Sequence, residues 1–353
     1  MVGRDGHAPL PWLEAPLRQA LSTQQAHALL IHGPQGVGQF ELALALAQGW
    51  LCEAASAAAR PCGACAACRL VQAHSHPDLL VLLPEALREP LGWGAPGGED
   101  EAAGDKPGKA KPSKDIKVEA VRAAVVFAQT TSARGRGKVV VLHPAERMNS
   151  VAANTLLKTL EEPPGNARFA LACAAADALL PTIRSRCQTL ALGLPPTARA
   201  VAWLAEQHVK EPAVMLAAAG GQPQEALEWS GQGIDANLWA RLPMLVKRGE
   251  ASAFAAWPLA RVIDALQKLC HDSACIAVGA TPRYFPAGSI TFEAKLDALS
   301  NWMGELNRSA RHAEHPWHGA LMLEALIQRG RRALDTPPAS GPASRGVSVH
   351  SRA

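Results

Sequence analysis

The sequence predicts an α/β domain with a mainly parallel sheet, followed by a part of the chain that is entirely helical. Two observations carry this prediction. Five short apolar runs alternate with stretches of helical periodicity in the first half of the chain, as expected of a sheet with helices on both faces. The patterns typical of strands stop after Pro195-Pro196, and only helical patterns punctuated by Gly and Pro follow.

The bulk composition limits the kind of protein. The chain has 353 residues, of which 48% are hydrophobic, and this length predicts two or three domains with a sizeable core. A formal net charge of +4 permits contact with nucleic acid without implying it. The sequence has no run of eighteen uncharged apolar residues and no hydrophobic signal core, so we expect a cytoplasmic protein with no membrane association.

A glycine-rich turn separates the first predicted strand from the helix that follows it. A helix is predicted over Pro11–Gln25, a short buried strand over Ala28–Ile31, and a second helix over Glu41–Trp50, after the turn. Strand, glycine turn and helix in this order form the context in which a P-loop binds phosphates.

The turn has the scaffold of a P-loop without its two chemical groups. In the pattern GxxxxGK[ST], glycines let backbone N–H groups wrap phosphates, the Lys reaches the terminal phosphates and the hydroxyl holds Mg²⁺. Gly33, Gly36 and Gly38 are present, but Gln39 stands at the Lys position and Phe40 at the hydroxyl position. An amide replaces an ammonium and a phenyl ring offers no ligand to Mg²⁺, so we expect no ATP hydrolysis at this site and weak or absent ATP binding.

Four cysteines follow the second helix at metal-ligand spacing. They are Cys52, Cys62, Cys65 and Cys68, and the last three form overlapping CxxC steps. In a reducing compartment such a cluster indicates a metal site rather than disulfides, and four thiolates suit the closed tetrahedral coordination of a structural Zn²⁺. The alternative is an Ala-rich loop without a metal.

The middle of the chain contains a predicted insertion and three further elements. A second strand is predicted over Asp78–Leu83, and residues from about 88 to 115, rich in Gly, Pro and charges of both signs, are expected to be disordered. The basic end of this segment, over 106–117, is predicted either to be a solvated linker or to contact nucleic acid. A helix over Ile116–Thr131 and a strand over Val139–Leu142 follow.

The sheet is completed by two more strands. A strong helix is predicted over Asn149–Glu162, stopped by two prolines, then strands over Phe169–Cys173 and Gln188–Leu192. Glu146, past the end of the third strand, is expected to be exposed. The helical stretches predicted after Pro196 are Thr197–His208, Pro212–Ala219, Pro223–Trp229, Leu238–Lys247, Ala251–Trp257, Leu259–Ile276, Phe292–Met303 and Trp317–Gln328.

Four features together resemble the clamp-loader branch of the AAA+ proteins. They are the glycine turn after a strand, the cysteine cluster, NTLLKTLEEPP at Asn154–Pro164 and SRC at Ser185–Cys187. The resemblance covers Leu10 to Arg332. It implies an AAA+ α/β domain over 1–193 with a zinc module at 52–68, a helical lid over 194–233, a helical collar domain for oligomerisation over 234–333, and a disordered tail over 334–353.

The pattern of losses resembles the non-hydrolysing subunit type of bacterial clamp loaders rather than the ATP-hydrolysing gamma/tau type. The gamma/tau type has acidic residues after the third strand, where His143 and Pro144 stand here, and a polar sensor after the fourth, where Cys173 or Ala174 stands. Its lid arginine falls near Gln224. The resemblance implies no ATPase or polymerase activity of the chain's own, only membership of the DNA polymerase III holoenzyme, a DNA-directed DNA polymerase.

The SRC motif implies one catalytic role in trans. In the resembled family its arginine acts as a finger on the ATP bound by the neighbouring subunit, and that residue is Arg186 here. The permanently charged planar guanidinium suits a γ-phosphate. Two alternatives stay open: Arg186 pairs with a local carboxylate, or Arg184, on the same side of an extended segment, substitutes for it.

The resemblance also implies partners. They are the gamma/tau and delta subunits in a hetero-oligomer and, through that complex, the sliding clamp and primer-template DNA. The subunit would be rigid against the movement of its neighbours. Contacts to the DNA backbone would come from basic residues, with a solvated face as the alternative reading: Arg122, Arg134, Arg136 and Lys138. Two other functions stay open, an active ATPase with an atypical P-loop and a stand-alone zinc-dependent DNA-binding protein.

Overall fold

The computed structural model describes residues 1–23, 26–94, 112–312 and 319–335, which form two compact units. Of the described residues, the first unit comprises those of Met1–Trp203 and Gln222–Glu225, and the second comprises Leu204–Gly221 and those from Ala226 onward. The disordered tail predicted over 334–353 is wrong at Leu334, which is the last residue of a helix and is buried. From position 336 onward the predicted tail lies outside the described residues. The domain boundaries at 193, 233 and 333 stay predictions.

The five predicted strands form one parallel sheet in the order β2-β3-β4-β1-β5, which confirms the predicted α/β class. Four strands are almost wholly apolar because helices cover both faces of the sheet. β2 and β5 are the two edge strands, of which β2 is mostly half-buried and β5 is mostly exposed. In the register, Ile31 lies opposite Ala172 on one side and Leu190 on the other. The strands are β1 Ala28–His32, β2 Leu79–Leu82, β3 Val139–Leu142, β4 Arg168–Cys173 and β5 Gln188–Ala191.

Alternate side chains of β1 enter two separate cores. Leu29 and Ile31 pack with the first two helices of the chain, while Leu30 packs with the fifth and sixth on the other face. All the carboxyl ends of the strands meet at one edge of the sheet, where the glycine turn follows β1. The helices up to residue 206 are α1 Glu14–Thr23, α2 Gln39–Leu51, α3 Ala66–Gln72, α4 Glu85–Arg88, α5 Val118–Gln129, α6 Ser150–Glu161, α7 Pro181–Arg184 and α8 Thr197–Glu206.

The described residues of the second unit form helices and no strand, as predicted. Residues 278–295 are not helical, so the helix predicted over Phe292–Met303 begins only at Leu296. Its core contains Trp229 and Trp239, both fully buried, and Trp239 stacks on Phe285 with ring centroids 4.7 Å apart. The predicted helix over 251–257 is wrong, because this segment forms only a 3₁₀ turn over Ala251–Phe254. The helices are α9 Pro212–Ala218, α10 Pro223–Gly231, α11 Ala236–Arg248, α12 Leu259–Ala277, α13 Leu296–Ala310 and α14 Gly319–Leu334.

Both ends of the segment predicted to be disordered have a defined structure. At the first end Trp93 stacks on the ring of His74, with centroids 4.0 Å apart. At the second end the carbonyl of Ser113 accepts a hydrogen bond of 3.1 Å from the N–H of Ala86, beside α4. The prediction is therefore wrong for residues 88–94 and 112–115, because an aromatic ring and backbone hydrogen bonds tie them to the first unit. Residues 95–111 lie outside the described residues.

None of the helices that the structure describes combines the length and the apolar character that a membrane span requires.

Candidate functional site

The loop between β1 and α2 keeps its glycines for reasons of space and backbone conformation. A Cβ atom on Gly33 would lie only 2.2 Å from the backbone oxygen of Leu192, just after β5. Gly36 and Gly38 have φ angles of 74° and 101°, in the left-handed region that favours glycine. These constraints come from the protein itself and hold whether or not a phosphate binds.

Gln39, at the position of the P-loop lysine, turns its side chain back into the loop. Its amide nitrogen Nε2 donates hydrogen bonds of 2.6 Å to the carbonyl of Gly33 and 2.6 Å to that of Pro34. A primary amide has two N–H bonds, so both are used within the protein. The side chain is also buried, and it has no donor left for a phosphate oxygen.

Phe40, at the position of the Mg²⁺-binding hydroxyl, stacks on His143, which follows β3 at the position of the acidic residues. Their ring centroids lie 4.7 Å apart and the planes are inclined by 19°. Burial lowers the pKa of His143 to about 4, while a hydrogen bond with the backbone of Ala172 acts in the opposite direction. The imidazole is therefore neutral at pH 7, and two positions that hold a metal in an active ATPase instead hold a ring pair without a carboxylate or hydroxyl oxygen.

Glu146 is the first carboxylate after His143 in the sequence, and it is predicted to be exposed. It is half-buried instead, and its Oε1 accepts hydrogen bonds from the N–H groups of Ala174 at 2.8 Å and Ala175 at 3.4 Å. The carboxylate thus caps the end of β4, where backbone donors are otherwise unpaired. Beside it, burial raises the pKa of Cys173 to about 12, so the residue at the sensor position is a neutral thiol.

Further contacts hold the loop from outside. Gln224, at the position of the lid arginine, donates from Nε2 to the carboxylate of Glu41 at 2.6 Å, and its backbone N–H donates to the carbonyl of Gly36 at 3.3 Å. The indole N–H of the buried Trp12 donates to the carbonyl of Val37 at 2.8 Å. The loop is thus fixed by neutral side chains of the same unit.

The four clustered cysteines come together as the spacing predicts. The Sγ atom of Cys52 lies 3.6 Å from that of Cys62 and 3.9 Å from that of Cys65, and the Sγ atoms of Cys62 and Cys68 are 4.0 Å apart. All four sulfurs lie within 4.8 Å of one another, and none forms a disulfide. The group is able to hold a metal ion.

Backbone N–H groups support the cluster. The amides of Cys62, Cys65 and Cys68 each donate to the sulfur of the preceding cysteine of the cluster, at 3.4 Å in every case. Burial would raise the pKa of Cys62, but the backbone donors and neighbouring thiols outweigh it and lower this pKa to about 6. Burial raises the pKa of Cys68. Hydrogen bonds of this kind stabilise metal-bound thiolates, which carry negative charge.

Arg186 lies in the turn after α7 and pairs with a carboxylate. Its Nε donates to Oε1 of Glu161 at 2.6 Å, its Nη2 donates to the same oxygen, and its Nη1 donates to the carbonyl of Thr182 at 2.9 Å. The predicted alternative of a local carboxylate partner is therefore confirmed as a contact. Arg184 is exposed, but it ends α7 rather than sharing an extended segment with Arg186, which corrects that part of the prediction.

The four basic residues predicted to approach DNA do not form one free surface. Arg134 pairs with Glu53 at 2.6 Å, beside the cysteine cluster. Lys138 is buried and pairs with the fully buried Asp78 at 3.0 Å. The other two members of the set are an exposed Arg122 and a half-buried Arg136. Lys138, and in part Arg134, therefore have structural partners that compete with a phosphate.

Comparison with known proteins identifies related subunits. The model of the family described as DNA polymerase III, delta subunit, matches residues 13–195. The chain is 33% identical to DNA polymerase III subunit delta' of Pseudomonas aeruginosa, over 90% of this chain and 95% of that protein. It is 31% identical to subunit delta' of Escherichia coli K12, over 73% of this chain and 76% of that protein. It is also 34% identical to subunit tau of Escherichia coli K12, over 46% of this chain and 20% of that protein.

The Pseudomonas delta' protein matches 90% of the chain, whereas the tau subunit matches 46%. The similarity to the Pseudomonas protein extends across both units, and the family model covers more than half of the chain. The resemblance to clamp-loader subunits is thereby confirmed at the level of the family: this chain belongs to the family of DNA polymerase III delta' subunits.

Proposed function

We propose that this delta' subunit is a non-hydrolysing member of the clamp loader that acts on DNA replication through its neighbours. It gives Arg186 as an arginine finger to the ATP site of an adjacent gamma/tau subunit while the complex loads the sliding clamp on primed DNA. The observation that carries the first half is the carboxyl edge of the sheet. There Gln39, Phe40 and His143 replace a lysine, a hydroxyl and an acid, and each has a partner inside the protein.

These replacements remove the groups on which phosphoryl transfer depends. The reaction requires positive charge and Mg²⁺ close to the developing charge on the phosphate. A buried amide whose two N–H bonds are occupied supplies neither charge nor a free donor, and a phenyl-imidazole stack supplies no oxygen ligand. Since no ATP would be hydrolysed at this loop, we expect no ATP-driven change there and a subunit that stays rigid against the movement of its neighbours.

Titration with a fluorescent ATP analogue tests this half of the proposal. We expect neither saturable Mg²⁺-dependent binding in the micromolar range nor turnover by the isolated chain, and the gamma/tau subunit serves as the positive control. Gln39→Ala is a matched variant, since it removes the amide that occupies the loop without adding charge. Micromolar binding with turnover by the unaltered chain would show instead that it is an ATPase with an atypical P-loop.

Arg186 carries the second half of the proposal. Its side chain is 30% exposed in the turn after the short helix α7, and it lies two residues from a second arginine that serves as a control. An arginine finger contributes about 10³ to 10⁵-fold to hydrolysis where it has been measured. In a complex reconstituted with gamma/tau, delta, clamp and primed DNA, Arg186→Ala should lower the stimulated ATPase rate, whereas Arg184→Ala should leave it unchanged. An unaltered rate with Arg186→Ala would refute the finger.

The cysteine cluster is proposed to hold a structural Zn²⁺. Four thiolates about 2.3 Å from a tetrahedral Zn²⁺ lie about 3.8 Å from one another. The observed Sγ–Sγ distances of 3.6, 3.9 and 4.0 Å fit this value, whereas a disulfide would require about 2.05 Å. With four protein ligands no coordination position remains for a substrate, so the metal would stabilise the fold.

Mass measurement under native conditions tests the metal. One bound zinc is expected, and Cys65→Ser should abolish it. Cys270→Ser changes a buried cysteine that belongs to neither group of possible metal ligands among the described residues, and this variant should retain the zinc. Loss of zinc from both variants, or its absence from the unaltered chain, would contradict the assignment.

The partners follow from the same proposal. An AAA+ domain over 1–193 would be followed by a helical lid over 194–233 and a collar over 234–333 that joins gamma/tau and delta in a cytoplasmic hetero-oligomer. Size-exclusion chromatography of the chain mixed with gamma/tau and delta should give one joint complex. Separate elution would leave a stand-alone zinc-dependent DNA-binding protein as the better explanation.

A further inference from the structure

We infer that Glu161 is a positioning residue for Arg186, holding one edge of the guanidinium so that the other edge faces outward for a phosphate. This inference rests on the proposed arginine finger and adds a second residue to it. Glu161 ends α6 and Arg186 lies 25 residues later, in the turn after α7. The two meet only because the helices lie side by side in the folded chain.

The hydrogen bonds of Arg186 show which donors are committed. Nε and Nη2 both donate to Oε1 of Glu161, and Nη1 donates to the carbonyl of Thr182, with a longer contact of 3.5 Å to the hydroxyl of Ser185. A guanidinium has five N–H bonds, of which two belong to Nη1 and two to Nη2. One N–H of Nη2 therefore stays free, and one of Nη1 has at most the long contact to Ser185.

The two remaining N–H bonds belong to the pair of nitrogens that binds two oxygens of a phosphate side by side. The contact with Glu161 thus leaves the finger available instead of blocking it. Because a guanidinium remains charged next to a carboxylate, the pair keeps a cation at this place.

Both sides of the pair are anchored in the same core. Leu160, immediately before Glu161, is 1% exposed, and Ile183, in α7, is completely buried. Both belong to the cluster beneath α5 and α6. A long side chain that is attached to a buried segment at one end and paired with a carboxylate at the other loses part of its rotamer freedom before the neighbour's ATP arrives. Such preorganisation lowers the entropic cost of forming the catalytic contact.

The fold does not depend on the pair. The side chain of Glu161 is 46% exposed and that of Arg186 30% exposed, and partly exposed ion pairs contribute little to stability. Variants at Glu161 are therefore expected to fold and assemble. The next residue, Glu162, is also an exposed carboxylate and provides a control with the same change in charge.

The test measures steady-state ATPase kinetics of the complex reconstituted with gamma/tau, delta, clamp and primed DNA. Since misplacing a catalytic group by about 1 Å costs up to about 100-fold in rate, we expect Glu161→Ala to lower kcat by about tenfold, with KM for ATP changed less than about twofold. Glu161→Gln, which keeps an acceptor oxygen, should recover part of the loss. Glu162→Ala should have the rate of the unaltered complex.

A double variant separates positioning from other roles. In a complex that already carries Arg186→Ala, adding Glu161→Ala should cause no further loss, because the residue to be positioned is gone. A further loss there, or a Glu161→Ala rate that is unchanged or increased, would overturn the positioning role while a reduced rate with Arg186→Ala upholds the finger. An unchanged rate with Arg186→Ala would overturn the finger itself and the inference that rests on it.

Discussion

The stacked histidine next to the β1–α2 loop makes stability depend on pH in a way that can be measured. Burial lowers the pKa of His143 from its ordinary value of 6.5 to about 4 in the folded protein. Between these two values the unfolded chain binds a proton that the folded chain excludes. Folding is therefore favoured fully above pH 6.5, is weakened as the pH falls from 6.5 to 4, and changes no further from this group below pH 4.

The size of the effect follows from the two pKa values. At pH 5.0 nearly every unfolded molecule carries the proton on His143 and only about a tenth of folded molecules do, which lowers the free energy of unfolding by about 2 kcal/mol relative to pH 7.5. The variant His143→Phe retains an aromatic ring next to Phe40 and cannot titrate. Between pH 7.5 and 5.0 it should therefore lose about 2 kcal/mol less than the unaltered chain.

Two measurements check this prediction. Urea denaturation at both pH values gives the difference in unfolding free energy, with His143→Phe as the reference for all other titrating groups. Histidine-ring NMR, in which the signal missing from His143→Phe identifies the residue among 12 histidines, gives the pKa directly. A titration midpoint near 6.5 for that signal, or equal losses of stability in both proteins, would contradict a lowered pKa of His143. The conclusion that its imidazole is neutral at pH 7 and places no positive charge beside Phe40 would then fail.

Three further predictions concern the supports of the site. Gly33→Ala should destabilise the first unit by about 1 to 3 kcal/mol in urea denaturation, because the new Cβ would clash with the backbone after β5. Gly193→Ala, whose Cβ would have no atom within 4 Å, should leave the stability unchanged. Asp78→Ala should cost about 3 to 5 kcal/mol in the same assay, since it leaves Lys138 buried without its partner, and a cost below 1 kcal/mol would contradict that pairing. A chelator should lower the Tm of the unaltered chain by about 5 °C in scanning fluorimetry and should leave the Tm of Cys65→Ser unchanged. If the chelator did not change the Tm of the unaltered chain, a stabilising metal would be excluded.

The parts of the structure that the sequence predicts well are those determined by local patterns. The strand Val139–Leu142 has the same bounds in the structure as in the prediction, because a four-residue apolar run between a basic loop and a proline leaves little choice. The cysteine cluster assembles because the CxxC spacing itself brings three of the four sulfurs together. At Gln39 and Phe40 the missing chemistry was evident from residue type alone.

The parts that were not predicted depend on contacts between distant segments. Glu146 was expected in solvent because it follows a strand end, but the fold brings the end of β4 to its carboxylate. Lys138 was expected on a basic surface, and its partner Asp78 lies 60 residues earlier in the chain. No periodicity or motif records such pairs, since they arise from the order of strands in the sheet.

The internal contacts of Gln39, Phe40 and His143, which replace ATPase residues, differ from those of Arg186, the residue proposed to act as an arginine finger. Gln39 and the Phe40–His143 pair are satisfied inside the protein, so restoring one ATPase residue alone would leave its partners without contacts. A single Gln39→Lys change should therefore give no turnover, because the ring pair still excludes Mg²⁺. Arg186 differs in that its internal partner uses only part of its donors. The structure thus supports a subunit whose β1–α2 loop is held by its own side chains, and the proposed arginine finger depends on the donors of Arg186 that Glu161 and Thr182 leave unused.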